Sequence, residues 1–358
     1  MCIPNVTKYG MVITKSGKDL FFEFDYNFDV KETLKIGCNA KWNPKTKMWT
    51  AKDNCRTRFN LDFLQRGKIV YENYRKPLIE YSSDRDLRDN QKVAIPHLLT
   101  RRQSILGADM GLGKTLITIE VMEQVGGTWA FIAPKCVIKA IKIELKKWDS
   151  KVTPILCTYG SISKLNYDLI DNVVFDECQN IKNANTQRSQ NAMKLSDKIR
   201  AKDGYIIEMS GTPDPKNPVD WWNLAETACP GYLLEGHPEK FKRRLGLYEE
   251  KEGLAGNMFP SLVTWFDRDD LCKVCGQPQD KHNTNHAFIS VDENSLFCDT
   301  CSKTASEHDA DHYFVQAKNE VAGLGRRLAG LVLTQKKSEY SDLPEKQYRV
   351  IKVKPTSE

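Results

Sequence analysis

Between residues 104 and about 213 one pattern repeats: a short apolar run, a loop, then an amphipathic stretch of helical period. The runs are SILGA, TWAFIAP, PILCT, NVVFDE and YIIEMSG. Each is too short for a helix and carries no polar alternation, as expected of strands covered on both faces. Helical patterns precede or separate them: NQKVAIPHLLTRR, TLITIEVMEQ and KCVIKAIKIELKKW. The arrangement predicts an α/β fold with a mostly parallel sheet. Ahead of it, MVITK and DLFFEFDY read as strands of a small α+β module. Asn43, Pro44, Lys45 and Thr46 form a turn between Trp42 and Trp49, which predicts a hairpin. Residues 214–262 read as mixed helix and loop, 268–312 as polar loop, and 319–333 as a last helix. The boundaries drawn are 1–83, 84–265, 266–313 and 314–358. No internal repeat or low-complexity tract interrupts them.

Composition narrows the classes. A length of 358 residues suits two or three domains, and 28% charged against 40% apolar residues suits globular ones. No apolar run approaches the roughly 18–20 residues of a membrane span, and MCIPNVTKYG is not a signal peptide, so secretion and membrane spanning are not expected. The net charge of +6 says little by itself, but residues 31–68 hold ten basic and three acidic residues. Of eleven cysteines, Cys272, Cys275, Cys298 and Cys301 form two C-x-x-C pairs. That pattern fits a reducing, intracellular compartment and one metal site rather than a disulfide framework. Without a basic localisation run, the cytoplasm of a bacterial or phage-infected cell is the expected location, with the nucleus as alternative.

The chemistry concentrates in GADMGLGKT, between the strand SILGA and the helix TLITIEVMEQ. Met110, Gly111, Leu112 and Gly113 would wrap a polyphosphate, Lys114 would reach its β- and γ-phosphates, and Thr115 would ligate Mg²⁺. Ala108 stands where the strict P-loop pattern has its first glycine, so an incidental glycine-rich turn is the competing reading. In NVVFDECQN a buried strand delivers Asp176, assigned to the metal, and Glu177, assigned to the attacking water. A solvated acidic pair is the plain alternative. In YIIEMSGTP, Ser210 and Thr212 are placed to sense the γ-phosphate or the acidic pair, although SGTP alone is an ordinary turn.

The ordered set LRDNQ, GADMGLGKT, FIAPKCVIKAIKIELKKW, TYGS, FDECQNIKN and MSGTP resembles the first RecA-like lobe of superfamily-two helicases of the Swi/Snf-type ATPase branch. NPVDWWNL, CPGYL and DLPEKQYRV add to the resemblance. It implies an ATP-dependent DNA translocase or helicase using ATP and Mg²⁺, with Gln91 on the adenine and Pro134, Lys135 and Tyr159 on the DNA side. Gln179 stands where the branch commonly has His, which bears on coupling more than on hydrolysis. Members of the branch have a second lobe that supplies arginines, so this chain is expected to bind nucleotide yet hydrolyse it poorly unless such a lobe joins in cis or in trans. LKIGCNAKWNPKTKMWTAKDN is similar to the HARP-type module of annealing helicases, implying DNA contacts from Trp42, Lys45, Lys47 and Trp49. The same two Trp residues equally suit the core of a small β domain.

The two C-x-x-C pairs, twenty-two residues apart, suit tetrahedral Zn²⁺. His282, His286, His308 and His312 are spare donors, and two incidental pairs in a loop are the alternative. Against the motor reading stands a non-hydrolysing, nucleotide-responsive DNA-binding or interaction module. A metabolic P-loop kinase leaves the acidic pair and the SGTP strand without a role.

Overall fold

The structure, a computed structural model, describes residues 5–6, 11–53, 57, 61, 78–211, 217–233, 235–252, 256–279, 288–292, 295–298 and 315–340. In the N-terminal part, Asn5–Val6 (β1), Val12–Ser16 (β2), Asp19–Glu23 (β3), Lys41–Asn43 (β4) and Met48–Lys52 (β5) make an antiparallel sheet ordered β1-β2-β3-β5-β4. Alternation along β3 buries Leu20 and Phe22, which pack with Val30, Leu34 and Ala51. The helix Phe28–Glu32 (α1) starts where Asn27 Oδ1 accepts the Val30 amide at 3.1 Å. The predicted hairpin forms as β4–β5: Asn43 Oδ1 accepts the amides of Lys45 (3.0 Å) and Thr46 (3.4 Å), and Trp42 faces Trp49 across the ladder.

The larger unit alternates helix and strand: Asp89–Arg101 (α2), Gln103–Ala108 (β6), Lys114–Val125 (α3), Trp129–Ala133 (β7), Lys135–Lys147 (α4), Ile155–Thr158 (β8), Asn172–Asp176 (β9), Gln187–Arg200 (α5) and Ile206–Ser210 (β10). All five apolar runs are strands of one parallel sheet. Successive residues serve opposite faces. Ile105, Val173, Phe175 and Ile206 pack on the side of α5, while Leu106, Phe131, Val174 and Ile207 pack on the side of α2, α3 and α4. Double burial of this kind is why no alternation shows in the sequence.

The chain continues through Trp221–Ala228 (α6), Pro238–Leu245 (α7), Gly246–Glu252 (β11), Met258–Trp265 (β12), Phe288–Asp292 (β13), Ser295–Cys298 (β14), Glu320–Leu328 (α8) and Val332–Gln335 (β15). Two expectations are corrected here. The stretch 214–262 contains an antiparallel β11–β12 hairpin as well as helices. The helix expected over 319–333 ends at Leu328; Gly330 turns the chain at φ +90°, and β15 adds to β6 as a sixth parallel strand. The sheet order is β15-β6-β10-β9-β7-β8, an α/β architecture of RecA-like type. No helix among the described residues is long and apolar enough to cross a membrane.

Candidate functional site

Parallel strands deliver their C-terminal ends to one edge, where α/β folds bind ligands. Here β6 leads into the glycine-rich loop, β9 ends at Asp176, β10 at Ser210 and β15 at Gln335. A cleft of about 440 Å³ opens there. Gln91, Met110, Gly111, Gly113, Lys114 and Thr115 line one side, and Asp176 and Glu177 face them.

The loop is shaped for a polyphosphate. Gly111 (φ +91°) and Gly113 (φ +75°) hold backbone that only glycine adopts readily. A Cβ on Gly113 would also lie 2.4 Å from Gln91 Nε2. No side chain caps α3, which leaves its first-turn amides for an anion. Lys114 Nζ donates to the Ala108 carbonyl at 2.8 Å; burial lowers its pKa, while Glu177, Asp176 and Asp109 pull it back up. Leu112, expected at the ligand, points its side chain into the core, and only its backbone belongs to the loop. Met110 is the opposite case, 70% exposed.

Burial, then the neighbouring Glu177, push Asp176 up to about 6 against the pull of Lys114. A divalent cation held by Asp176 and Thr115 would relieve that strain, so these residues fit Mg²⁺ as well as phosphate. Glu177 has a left-handed backbone (φ +54°). Its Oε2 accepts from Gln179 Nε2 at 2.7 Å, and Gln179 Oε1 accepts from the Ser210 hydroxyl at 3.2 Å. Gln179 is thus the physical bridge between the acidic pair and β10. Thr212 lies outside the described residues.

Gln91 is buried against the loop rather than open to solvent. Its Oε1 accepts the Arg88 amide at 3.0 Å, and its Nε2 donates to the Gly113 carbonyl at 3.4 Å. Tyr159 requires a correction. Expected on a DNA face, it is 5% exposed, stacks on Phe175, and donates its hydroxyl to the Asp176 carbonyl at 2.8 Å. An aromatic ring with one polar tip is well suited to bracing the acidic turn from beneath. Pro134 caps the start of α4, and Lys135 is exposed beside it.

Several residues that shape the cleft have no role assigned to them by the sequence. Asn90 Nδ2 donates to the Leu112 carbonyl (2.8 Å), Gln335 Nε2 to the Asn90 carbonyl (2.7 Å), and the Lys337 amide to Asp109 Oδ2 (2.9 Å). Asp109 and Asn90 sit inside legible motifs, whereas Gln335 and Lys337 arrive from more than two hundred residues away.

Two further groups lie apart from this cleft. Phe22, Phe24, Tyr26, Trp42 and Trp49 line a recess of about 410 Å³, rimmed by Lys31 and Lys47. Trp42 is 48% exposed and its ring centroid is 5.6 Å from that of Trp49, so the pair is neither wholly core nor free. Lys45 is exposed on the adjoining turn. Cys272 and Cys275 sit on one tight turn, in which the Gly276 amide donates to the Cys272 carbonyl at 2.8 Å and Gly276 takes φ +74°. Cys298 ends β14 and its side chain is not among those described; Cys301 and the four histidines lie outside the described residues. Among the described residues no group of three or more His, Cys, Asp or Glu is placed to hold a metal.

A strand–glycine loop–helix with an acidic strand end beside it defines a P-loop nucleotide-binding lobe. No family model matches the chain. Among curated proteins it is similar to helicase domino of Drosophila melanogaster, 26% identical over 193 residues, which are 43% of this chain and 6% of that protein. It is also similar to the DNA excision repair protein ERCC-6-like of Danio rerio (26% over 200 residues, 44% and 13%) and to YwqA of Bacillus subtilis strain 168 (28% over 226 residues, 53% and 24%). The chain therefore spans under a quarter of the length of these relatives. Among solved structures, the Sulfolobus solfataricus SWI2/SNF2 ATPase core in complex with dsDNA aligns at a TM-score of 0.39, with 27% identity over 48% of this chain and 41% of that one. With these relatives and its ordered motifs, the α/β core of this chain is similar to a motor lobe of the Swi/Snf-type branch of superfamily-two helicases.

Proposed function

We propose that the chain is the nucleotide-binding half of an ATP-dependent DNA translocase, with an N-terminal module that engages DNA. The observation that carries this reading is that Lys114, Asp176 and Glu177 line one cleft and that Gln179 links Glu177 to Ser210 behind it. Lys114 and Thr115 hold the phosphate end of ATP, and Asp176 holds Mg²⁺. ATP·Mg²⁺, when bound, supplies the phosphoanhydride that water cleaves. Glu177 keeps Oε2 on Gln179, which leaves Oε1 to orient the water and take its proton. Gln179 transmits the position of Glu177 to Ser210, a route by which a partner lobe or DNA could act on hydrolysis. The aromatic recess with Lys31, Lys47 and the neighbouring Lys45 supports DNA contact by the HARP-like module, since exposed rings stack on bases and lysines neutralise phosphates. Pro134 and Lys135 are proposed for the DNA side of the motor.

The test is ATP hydrolysis with and without forked DNA, comparing the chain with Glu177→Gln. A DNA-stimulated rate lost in the variant supports a motor that finds a second lobe by self-association. Nucleotide binding with a flat rate supports half a motor awaiting that lobe, because arginines supplied across such clefts are worth about 10³–10⁵ in rate. Absence of nucleotide binding, unchanged by Lys114→Ala, removes the reading in favour of a scaffold.

The turn that carries Cys272 and Cys275 has the form of half a zinc site, and we propose that Cys298 and Cys301 complete it. Elemental analysis of the purified chain should find zinc at one equivalent, lost in Cys272→Ser. Absence of bound metal from protein prepared with zinc present would count against it.

A further inference from the structure

Gly111, at the outer bend of the phosphate loop, is flanked by two cations to which the sequence assigns no role: Arg88, within LRDNQ, and Lys337, in no motif. Arg88 Nη1 donates to the Gly111 carbonyl at 3.1 Å. From the other side comes Lys337: a Cβ built on Gly111 would lie 3.3 Å from its Nζ and 3.4 Å from its Cε. Among the described residues neither side chain has a carboxylate partner.

Lys337 is also held there by its own backbone. Its amide donates to Asp109 Oδ2 at 2.9 Å, and the Asp109 amide donates to the Gln335 carbonyl at 3.1 Å. Gln335 in turn donates to the Asn90 carbonyl, and Asn90 to the Leu112 carbonyl. The end of β15 is therefore laced to both sides of the loop by main-chain and amide contacts. None of these bonds uses the Lys337 ammonium.

We infer that Lys337 and Arg88 are phosphate-binding residues of this cleft, a second pair of cations that joins Lys114 on the polyphosphate of the nucleotide. The inference rests on the reading of the cleft as a nucleoside triphosphate site and names two residues of that site. Gly111 then has a function beyond its backbone angle, since a Cβ there would press on the Lys337 ammonium at 3.3 Å. Guanidinium and ammonium divide the work in the usual way, the planar fork holding one geometry and the point charge following the anion.

The test is calorimetric titration of the full chain with ATP and with inorganic tripolyphosphate, in the presence of Mg²⁺. Lys337→Gln and Arg88→Gln should each weaken tripolyphosphate by about tenfold or more, the loss of one charged contact. The thermal midpoint should stay at that of the unaltered chain, because the main-chain bonds remain, and Lys337→Arg should recover most of the affinity. Tripolyphosphate binding by Lys337→Gln equal to that of the unaltered chain, while Lys114→Ala loses it, overturns this inference alone. Equal binding by Lys114→Ala as well overturns the nucleotide reading of the cleft and this inference with it.

Discussion

Single residues in this lobe are set by what burial does to polar groups. His97, on α2, is the clearest. Burial, then the nearby Arg101, lower its pKa from 6.5 to about 4, and its Nε2 is buried without a hydrogen bond. The unfolded chain therefore takes up this proton at a higher pH than the folded one. His97 leaves stability untouched above pH 6.5 and removes it as pH falls from 6.5 toward 4, by on the order of 3 kcal/mol in total. Urea unfolding of the chain and of His97→Gln across that range should diverge, with the variant losing less on acidification. Parallel curves would mean that His97 titrates alike in the folded and unfolded chain. Tyr159 teaches a related lesson. Its place in TYGS implied a DNA contact by resemblance, yet its ring and hydroxyl are spent on Phe175 and the Asp176 carbonyl.

Elements were legible where one local rule decided them. The five apolar runs are strands because nothing but double burial explains their composition, and KCVIKAIKIELKKW is a helix because its period is unmistakable. The missing strand, VLTQ, is four residues long and follows a helix without a break in hydropathy; only pairing with β6 makes it a strand. The β11–β12 hairpin was hidden for a different reason. Met258, Phe259, Leu262 and Val263 are all exposed, so burial imposed no alternation on them. Of the site, the glycine loop, the acidic pair and Ser210 were readable, whereas Gln335 and Lys337 depend on a crossover no local pattern encodes. One contact between elements invites measurement. Arg85 makes a two-pronged bond to Glu123 (2.9 and 3.0 Å), pairs with Glu120, which is 2% exposed, and donates to the Trp148 carbonyl at 3.0 Å. It fastens the segment before α2 across α3 to the end of α4. Arg85→Ala should cost about 3–5 kcal/mol in denaturant unfolding, because the carboxylates stay buried without their cation. A loss below 1 kcal/mol would show that solvent reaches them.

At the scale of the whole molecule, the N-terminal module meets the larger α/β unit, among the described residues, around Asp29 and His237. Asp29 meets His237 Nε2 and Lys240 Nζ, each at 3.2 Å; Phe28 stands edge-on to His237, and Arg243 lies 5.7 Å over its ring. Gly236 (φ +77°) allows the approach, since a Cβ there would fall 2.5 Å from Thr33 Oγ1. Half-exposed ion pairs contribute little alone, so the aromatic ring is expected to carry the contact. Replacing Phe28 and Asp29 together by Ala should loosen the module and raise the radius of gyration in solution scattering, without lowering the unfolding midpoint of the lobe. An unchanged scattering curve would assign the docking to other surfaces.

The pairing of β15 with β6 has a consequence for how the protein is made. The ribosome releases β6 early, but its outer neighbour emerges more than two hundred residues later. Until then β6 presents an open edge of unpaired amides and carbonyls flanked by apolar faces, a template for other nascent chains. Gln335 and Lys337 arrive with that same strand and close the underside of the phosphate loop. Completion of the sheet and readiness for nucleotide are therefore a single late event in the birth of the chain, and nucleotide added during synthesis should favour escape from aggregation only after residue 337 has left the exit tunnel.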